Sequence, residues 1–104
     1  MIRPERHFFV CGNRRPAVSD MPSCGRSGAM DVSSALRRAR EARGLTTRVF
    51  ITDSGCLGVC PEGGCTVVVY PEGVWYSPVT AGDVDEIVER HMVGGEVVQR
   101  LLAR

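Results

Sequence analysis

Apolar and polar positions along the first half of the chain predict a strand, a helix and a second strand. Residues 7–10 form a short apolar run, which predicts a buried first strand. Between Ser27 and Arg43 apolar side chains recur at helical spacing with arginines on the other face, which predicts an amphipathic helix capped by Ser27. Gly44 is expected to end that helix, and the β-branched and aromatic residues of 46–52 predict the second strand.

The second half predicts a hairpin followed by a helix. Residues 66–70 are apolar throughout, as in a strand covered on both faces, and the turn Pro71-Glu72-Gly73 leads into a returning strand over 74–77. Thr80 and Asp83 form a capping box at the start of a second helix. Its apolar side comprises Val84, Ile87, Val88 and Met92, and Val97, Val98, Leu101 and Leu102 predict one more short helical piece.

This order, β-α-β followed by β-β-α, predicts a four-stranded mixed sheet. The first unit requires a right-handed crossover and gives parallel strands, and the hairpin adds an antiparallel pair. We therefore expect an α/β (α+β) fold of the thioredoxin-like arrangement, with flanking helices that cover both faces of the sheet. The length of 104 residues indicates one domain, residues 1–104.

Composition narrows the class of protein. The net charge of +1 argues against a disordered tail or a general nucleic-acid binder, although residues 1–50 carry +6 and residues 51–104 carry −5. No apolar run is long enough for a membrane span, and the run near the N-terminus is too short for a signal peptide. We therefore expect a cytoplasmic protein, in which five cysteines indicate metal ligands or redox thiols rather than disulfides.

Four cysteines are expected to meet at one end of the sheet. Cys11 follows the first strand, Cys56 and Cys60 follow the second, and Cys24 ends the long loop before the first helix. Parallel neighbouring strands bring both sets of loops to the same edge. The glycine-rich stretch around the C-x3-C pair is typical of a loop that wraps a metal or cluster. Zinc sites usually show two tight cysteine pairs and dithiol enzymes a C-x-x-C, so a [2Fe–2S] cluster fits this spacing best.

The chain resembles the thioredoxin-like [2Fe-2S] ferredoxins. The resemblance runs through HFFVCGNRRP, SCGRSGAMDV, SGCLGVCPEGG, VVVYPEGVWY and EIVERHMVGGE, and so spans nearly the whole chain. It implies that Cys11, Cys24, Cys56 and Cys60 bind one [2Fe–2S] cluster per chain. It also implies a homodimer that carries one electron per cluster between redox-partner proteins. The main departure is the sequence GGC before the VVVY strand, where relatives commonly have Gly-Pro.

Other conspicuous residues receive simpler interpretations. Cys65 borders a core strand, so we expect a structural role for it, and whether it touches the cluster stays open. His7 and His91 are not expected to bind iron, because four cysteines complete the cluster. Trp75 and Tyr76 are interpreted as packing or dimer contacts. The glycines beside the cysteines, Gly12, Gly25, Gly55 and Gly58, serve the turns and can donate N–H···S hydrogen bonds.

No phosphate-binding loop, catalytic triad or H-E-x-x-H motif is present in the sequence, so we expect an electron carrier and not an enzyme. Three alternatives remain open at this stage. The first is a structural module that holds zinc or iron, and the second is a thiol–disulfide enzyme on the same fold. The third is a protein that senses or donates an iron–sulfur cluster.

Arg14, Arg15 and Arg26 lie in the ligand loops, where positive charge favours a cluster that gains an electron. We predict that the double variant Arg14→Glu, Arg15→Glu lowers the midpoint potential and slows electron transfer to an acidic partner. Potentiometric titration and stopped-flow rates over a range of salt concentrations measure both effects. An unchanged potential together with an unchanged salt dependence would rule out a basic rim.

Overall fold

Four strands and two main helices make up the described part of the chain. A computed structural model describes residues 4–12, 28–55 and 64–103. The elements are β1 (Arg6–Cys11), α1 (Ala29–Ala42), β2 (Val49–Ser54), β3 (Cys65–Tyr70) and β4 (Val74–Val79), followed by a second helix over 81–93 and a 3₁₀ turn at Gln99–Leu101. The second helix combines a 3₁₀ turn (Ala81–Asp83), the α-helical segment α2 (Val84–Ile87) and a π-helical segment (Val88–Val93).

The sheet is mixed and has the strand order β2-β1-β3-β4. β1 and β2 are parallel, with α1 as the connection between them, whereas β3 lies antiparallel to both β1 and β4. This confirms the predicted β-α-β unit and the predicted hairpin. The central pair, β1 and β3, provides the most buried positions of the sheet, including Phe8 and Val69 at 0% exposure.

Both helices pack on the same face of the sheet, so the expectation that helices cover both faces is wrong. Alternate strand residues on that face join the helices in one core; they are Phe8, Val10, Val49, Ile51, Val67, Val69 and Tyr76 from the strands and Val32, Leu36, Val84, Ile87, Val88 and Met92 from the helices. The side chain of Val68 points to the opposite face and is still only 1% exposed. Among the residues that the structure describes, its cross-strand neighbours Phe9 and Trp75 flank it there and no helix does.

Backbone geometry fixes both ends of α1. Gly28 occupies the N-cap position with a φ of 90°, a conformation that suits glycine, whereas the predicted cap Ser27 lies outside the described residues. At the other end Gly44 has a φ of 67° and donates to the Glu41 carbonyl at 3.1 Å. The Leu45 N–H donates to the Arg40 carbonyl at 3.0 Å, which completes a Schellman motif.

β2 begins at Val49 and not at Thr46 as the β-branched residues suggested. The Leu45 carbonyl accepts hydrogen bonds from the N–H groups of Arg48 at 2.9 Å and Val49 at 2.8 Å. These bonds hold residues 46–48 in a turn that continues the helix end. Pairing with β1 therefore starts three residues later and extends to Ser54, one residue before the cysteine loop.

The predicted capping box at the second helix is present. The Thr80 N–H donates to the Asp83 carboxylate at 2.9 Å and the Thr80 hydroxyl donates to it at 3.0 Å. Arg100, from the C-terminal segment, donates to the other oxygen of Asp83 at 2.9 Å. Burial alone would raise the pKa of Asp83, but the hydrogen bonds from Thr80 and Arg100 outweigh it and lower the pKa. The Asp83 carboxylate therefore connects the start of the second helix to the C-terminal segment.

A buried hydrogen-bond chain joins β4, the second helix and the β3–β4 turn. The Tyr76 hydroxyl accepts from the Val98 N–H at 3.0 Å, and its own proton is therefore directed to His91 Nδ1 at 2.6 Å. His91 Nε2 then carries a proton and donates it to Glu72 at 2.5 Å. His91 is 0% exposed, and burial raises the pKa of Tyr76. This hydrogen-bond network stabilises the end of the sheet that lies away from Cys11.

We predict that His91→Ala lowers the unfolding free energy by about 2–4 kcal/mol, because it opens a cavity and leaves the buried Tyr76 hydroxyl without its acceptor. The expected fall in melting temperature is roughly 10–25 °C, measured by circular dichroism on protein with matched cofactor content. Glu72→Gln is the control, since an amide oxygen still accepts from His91 Nε2. A variant with the wild-type melting temperature would contradict a structural role for this chain.

Candidate metal centre

Cys11 is the last residue of β1 and lies beside the last residue of β2. The parallel register pairs Cys11 with Ser54, and the Gly12 N–H donates to the Ser54 carbonyl at 2.9 Å. Cys11 is only 1% exposed. The strand ends that lead out of Cys11 and into Cys56 are therefore adjacent, as the sequence predicted from a parallel pair.

A cavity of about 210 Å³ lies at this end of the sheet. Its lining residues come from the end of β1, the start of α1 and the end of β2; they are Gly12, Ala29, Met30, Asp53 and Ser54. Gly12 follows Cys11 directly, and Ser54 comes two residues before Cys56. The cavity thus stands where three separate parts of the chain approach each other, each next to a cysteine-bearing stretch.

A polar cross-link holds the helix start against the end of β2. The Ser33 hydroxyl, in a residue only 4% exposed, donates to Asp53 Oδ1 at 2.7 Å. Arg37, one turn further along α1, lies 3.3 Å from Asp53 Oδ2 and donates to the Ser33 oxygen at 3.3 Å. Because Asp53 also lines the cavity, this cross-link fixes the cavity wall formed by β2 relative to the wall formed by α1.

The start of β3 completes this end of the molecule. Cys65 is the first residue of β3, is 0% exposed and lies opposite Val79 of β4, where the register shifts. A Cβ atom on Gly64 would lie 2.7 Å from the Val79 carbonyl oxygen, so only glycine fits this approach without movement. The burial agrees with the structural role expected for Cys65, which stays a prediction.

Three of the four predicted ligands, Cys24, Cys56 and Cys60, lie outside the described residues, as do Arg14, Arg15 and Arg26. Of the predicted set the structure places Cys11 alone. Within residues 4–12, 28–55 and 64–103, no group of three His, Cys, Asp or Glu side chains could hold a metal ion. The predicted set of four ligands therefore stays a prediction. The structure describes Cys11 and the nearby residues Gly12, Gly28 and Ser54.

Both histidines have protein partners. His91 uses both ring nitrogens, on Tyr76 and Glu72, at the opposite end of the sheet from Cys11. His7 Nε2 lies 2.7 Å from the Thr52 hydroxyl, and burial lowers the pKa of His7. These contacts give each histidine a hydrogen-bonding role within the protein.

No motif in the sequence marks Ser33, Arg37 and Asp53 as parts of the site. The available signal was the spacing of Ser33 and Arg37, four residues apart on one helix face, together with the acid just before the cysteine loop. Only the strand register shows that the two elements meet. Asp53 alternates with Ile51 along β2 and so points to the helix-covered face.

Comparisons with known proteins place the fold and the family. No protein-family model matches the chain. A "Ferredoxin, 2Fe-2S" of Clostridium pasteurianum is 42% identical over 101 residues, which cover 97% of this chain and 98% of the relative. A second, from Aquifex aeolicus, is 43% identical over 98 residues, 93% of this chain and 87% of that one. The solved thioredoxin-like [2Fe-2S] ferredoxin from Aquifex aeolicus superposes with a TM-score of 0.88 at 40% identity, covering 98% of this chain and 93% of the other.

The described architecture, a four-stranded mixed sheet with two helices, is thus a thioredoxin-like fold. The chain belongs to the thioredoxin-like [2Fe-2S] ferredoxin family. Both the fold class and the family that the sequence suggested are confirmed.

We predict that Gly64→Ala destabilises the end of the sheet that carries the site. The added methyl group must push β3 away from the backbone of Val79, at a cost of about 1–3 kcal/mol. The expected result is a lower melting temperature and faster loss of the visible absorbance of the bound cofactor. Gly82→Ala is the matched control, because its Cβ would meet only the Thr80 hydroxyl oxygen at an ordinary contact distance of 3.7 Å and Gly82 lies outside the cysteine loops. Equal behaviour of the two variants would contradict the close approach at Gly64.

Proposed function

We propose that this protein is a one-electron carrier that holds one [2Fe–2S] cluster on Cys11, Cys24, Cys56 and Cys60. The observation that carries the proposal is the adjacency of Cys11 and Ser54 at one end of a thioredoxin-like sheet, in a chain 42% identical to a 2Fe-2S ferredoxin. When bound, the cluster accepts and releases one electron. The protein holds it, sets its potential and presents it to partners.

Chain connectivity supports a shared site for the four cysteines. An extended residue spans about 3.6 Å, so the Cα–Cα distance from Ser54 to Cys56 can be at most about 7 Å. Cys24 is four residues from Gly28 and Cys60 four from Gly64, which limits each of these Cα–Cα distances to about 14 Å. Gly28 and Gly64 adjoin α1 and β3 at the same end of the molecule as Cys11. All four sulfurs can therefore reach one centre.

The residues at the Cys11 end of the sheet have chemistry that suits a bound [2Fe–2S] cluster. Cys11 offers a buried thiol, and thiolates are the ligands that iron–sulfur clusters use. The Gly12 N–H already donates to the Ser54 carbonyl, whereas a Cβ on Gly55 would meet nothing within 4 Å, so there is space beside the Gly55 backbone for a sulfur, and an N–H···S hydrogen bond there would favour the reduced form. Asp53 is compensated by Arg37, so the wall nearest Ser54 brings no unpaired negative charge toward an anionic group.

We further propose that the protein acts as a homodimer of single-domain chains, in the cytoplasm, with redox proteins as partners and no catalytic activity of its own. Ferredoxin relatives imply electron-donor and electron-acceptor proteins. The reducing cytoplasm suits cysteines that act as thiolate ligands. None of the helices in the described ranges is long and apolar enough to cross a membrane.

The test is the visible and EPR spectrum of anaerobically purified protein before and after dithionite, with iron and sulfide counts. We expect a coloured protein with two irons and two sulfides per chain, which gains an EPR signal on reduction. Single serine variants of Cys11, Cys24, Cys56 and Cys60 should each lose or alter that spectrum. Cys65→Ser is the matched control and should retain it.

Other outcomes identify the rival functions. A colourless protein that contains zinc would indicate a structural module. Thiol–disulfide activity that survives Cys24→Ser without bound metal would indicate an oxidoreductase. Rapid transfer of the intact cluster to an acceptor protein, measured by circular dichroism, would indicate a cluster donor.

A further inference from the structure

Burial on the sheet face away from the helices increases toward the end that carries Cys11. Along β3 on this face, Tyr70 is 45% exposed, Val68 is 1% exposed and Thr66 is 0% exposed. Along β1, the partly buried Phe9 is followed two residues later by Cys11, which is 1% exposed. A fully buried hydroxyl group therefore lies at the same end of the sheet as a predicted cluster ligand.

Strand register places Thr66 beside Cys11. β1 and β3 pair in antiparallel fashion as far as Val10 opposite Val67. Cys11 and Thr66 are the next residues on these two strands, and side chains that alternate along each strand put both on the face away from the helices. Residues opposite each other in an antiparallel pair have Cβ atoms about 4.5–5.5 Å apart, which is close enough for their side chains to hydrogen-bond.

A second hydroxyl supports Thr66 from β4. Thr66 Oγ1 lies 3.1 Å from Ser77 Oγ, at the register shift between β3 and β4. Either hydroxyl can donate in this pair. A thiolate is a stronger acceptor than a neutral hydroxyl, because hydrogen bonds to ionised groups are the stronger ones. With a thiolate at Cys11, the favoured arrangement has Ser77 donating to Thr66 and Thr66 donating to the sulfur.

The hydroxyl on the other side of Cys11 is directed to the backbone. Ser54 pairs with Cys11 in the parallel register of β1 and β2. Its single hydroxyl proton is directed to a carbonyl oxygen, that of Gly55 at 3.1 Å or that of Val10 at 3.5 Å. Of the two hydroxyl groups that flank Cys11, Thr66 is therefore the one placed to donate to sulfur.

We propose that the Thr66 hydroxyl donates a hydrogen bond to the Cys11 sulfur when the cluster is bound, and so raises the reduction potential of the protein. The inference rests on the proposed function and adds a residue that adjusts it. Hydrogen bonds to the ligand sulfurs are among the factors that set the potential of iron–sulfur clusters. Reduction adds negative charge, so the donor favours the reduced state, and the absence of competing water at a buried position strengthens this effect.

A mediated potentiometric titration of the cluster-loaded protein, followed by visible absorbance and EPR, tests the proposal. Thr66→Val removes the hydroxyl and keeps the shape of the side chain. At the wild-type midpoint, we expect its ratio of reduced to oxidised protein to be about tenfold lower, which for one electron corresponds to about 59 mV. Thr66→Ser keeps the hydroxyl and should keep the wild-type ratio. Ser77→Ala removes only the supporting hydroxyl and should lower the ratio roughly twofold.

Thr52→Val is the matched control on the same face of the sheet. The Thr52 hydroxyl lies 2.7 Å from His7 Nε2, one row away from Cys11, so its removal should leave the ratio unchanged. Resonance Raman spectra give a second measurement. The Fe–S(Cys) stretching bands should move in Thr66→Val and stay in place in Thr52→Val. A hydroxyl pair that only joins β3 to β4 would lower the melting temperature without moving these bands.

The proposal is overturned if Thr66→Val titrates at the wild-type potential, if Thr66→Ser shifts as far as Thr66→Val, or if Thr52→Val shifts equally. If Thr66→Val does not retain the cluster, Ser77→Ala decides, and an unchanged potential in that variant overturns the proposal. All of these results leave the wild-type iron–sulfur spectrum and the proposed electron carriage standing. A wild-type protein without that spectrum would instead refute the proposed function.

Discussion

The parallel pairing of β1 with β2 is the contact on which the site depends. It sets Cys11 beside Ser54 and so joins two stretches of chain more than forty residues apart. α1 makes the crossover possible, and its Schellman end at Gly44 and Leu45 turns the chain back into β2. A slip of one residue would move Cys11 to the other face of the sheet, because side chains alternate along a strand. Register, and not the spacing of cysteines in the sequence, therefore sets the residue after which the chain leaves β1 beside the residue after which it leaves β2.

The two ends of the sheet are built from different chemistry. At the end away from Cys11, the chain from Val98 through Tyr76 and His91 to Glu72 satisfies buried polar groups and joins three elements. At the other end, the described chain contains several glycine and other small residues. The hydrogen bond from Ser33 to Asp53 connects α1 to β2 there.

Much of this fold follows from local sequence signals. Periodicity gave the four strands and two helices, and Thr80 with Asp83 marked the start of the second helix. The start of β2 was missed because the β-branched pair Thr46-Thr47 is overridden by hydrogen bonds to the Leu45 carbonyl. The uniform apolar run of β3 suggested helices on both faces. A run of that kind does not distinguish a covering helix from flanking aromatic side chains such as Phe9 and Trp75. The link between Ser33 and Asp53 depends on tertiary register, which no local pattern encodes.

The central claim is that sulfurs distant in sequence share one pair of irons at this end of the sheet. A crystal structure of the anaerobically purified protein, with diffraction data collected on both sides of the iron absorption edge, tests it most directly. We predict two adjacent iron peaks bonded to Sγ of Cys11, Cys24, Cys56 and Cys60, next to Ser54. A single metal peak, or iron bound without Cys11, would contradict the account.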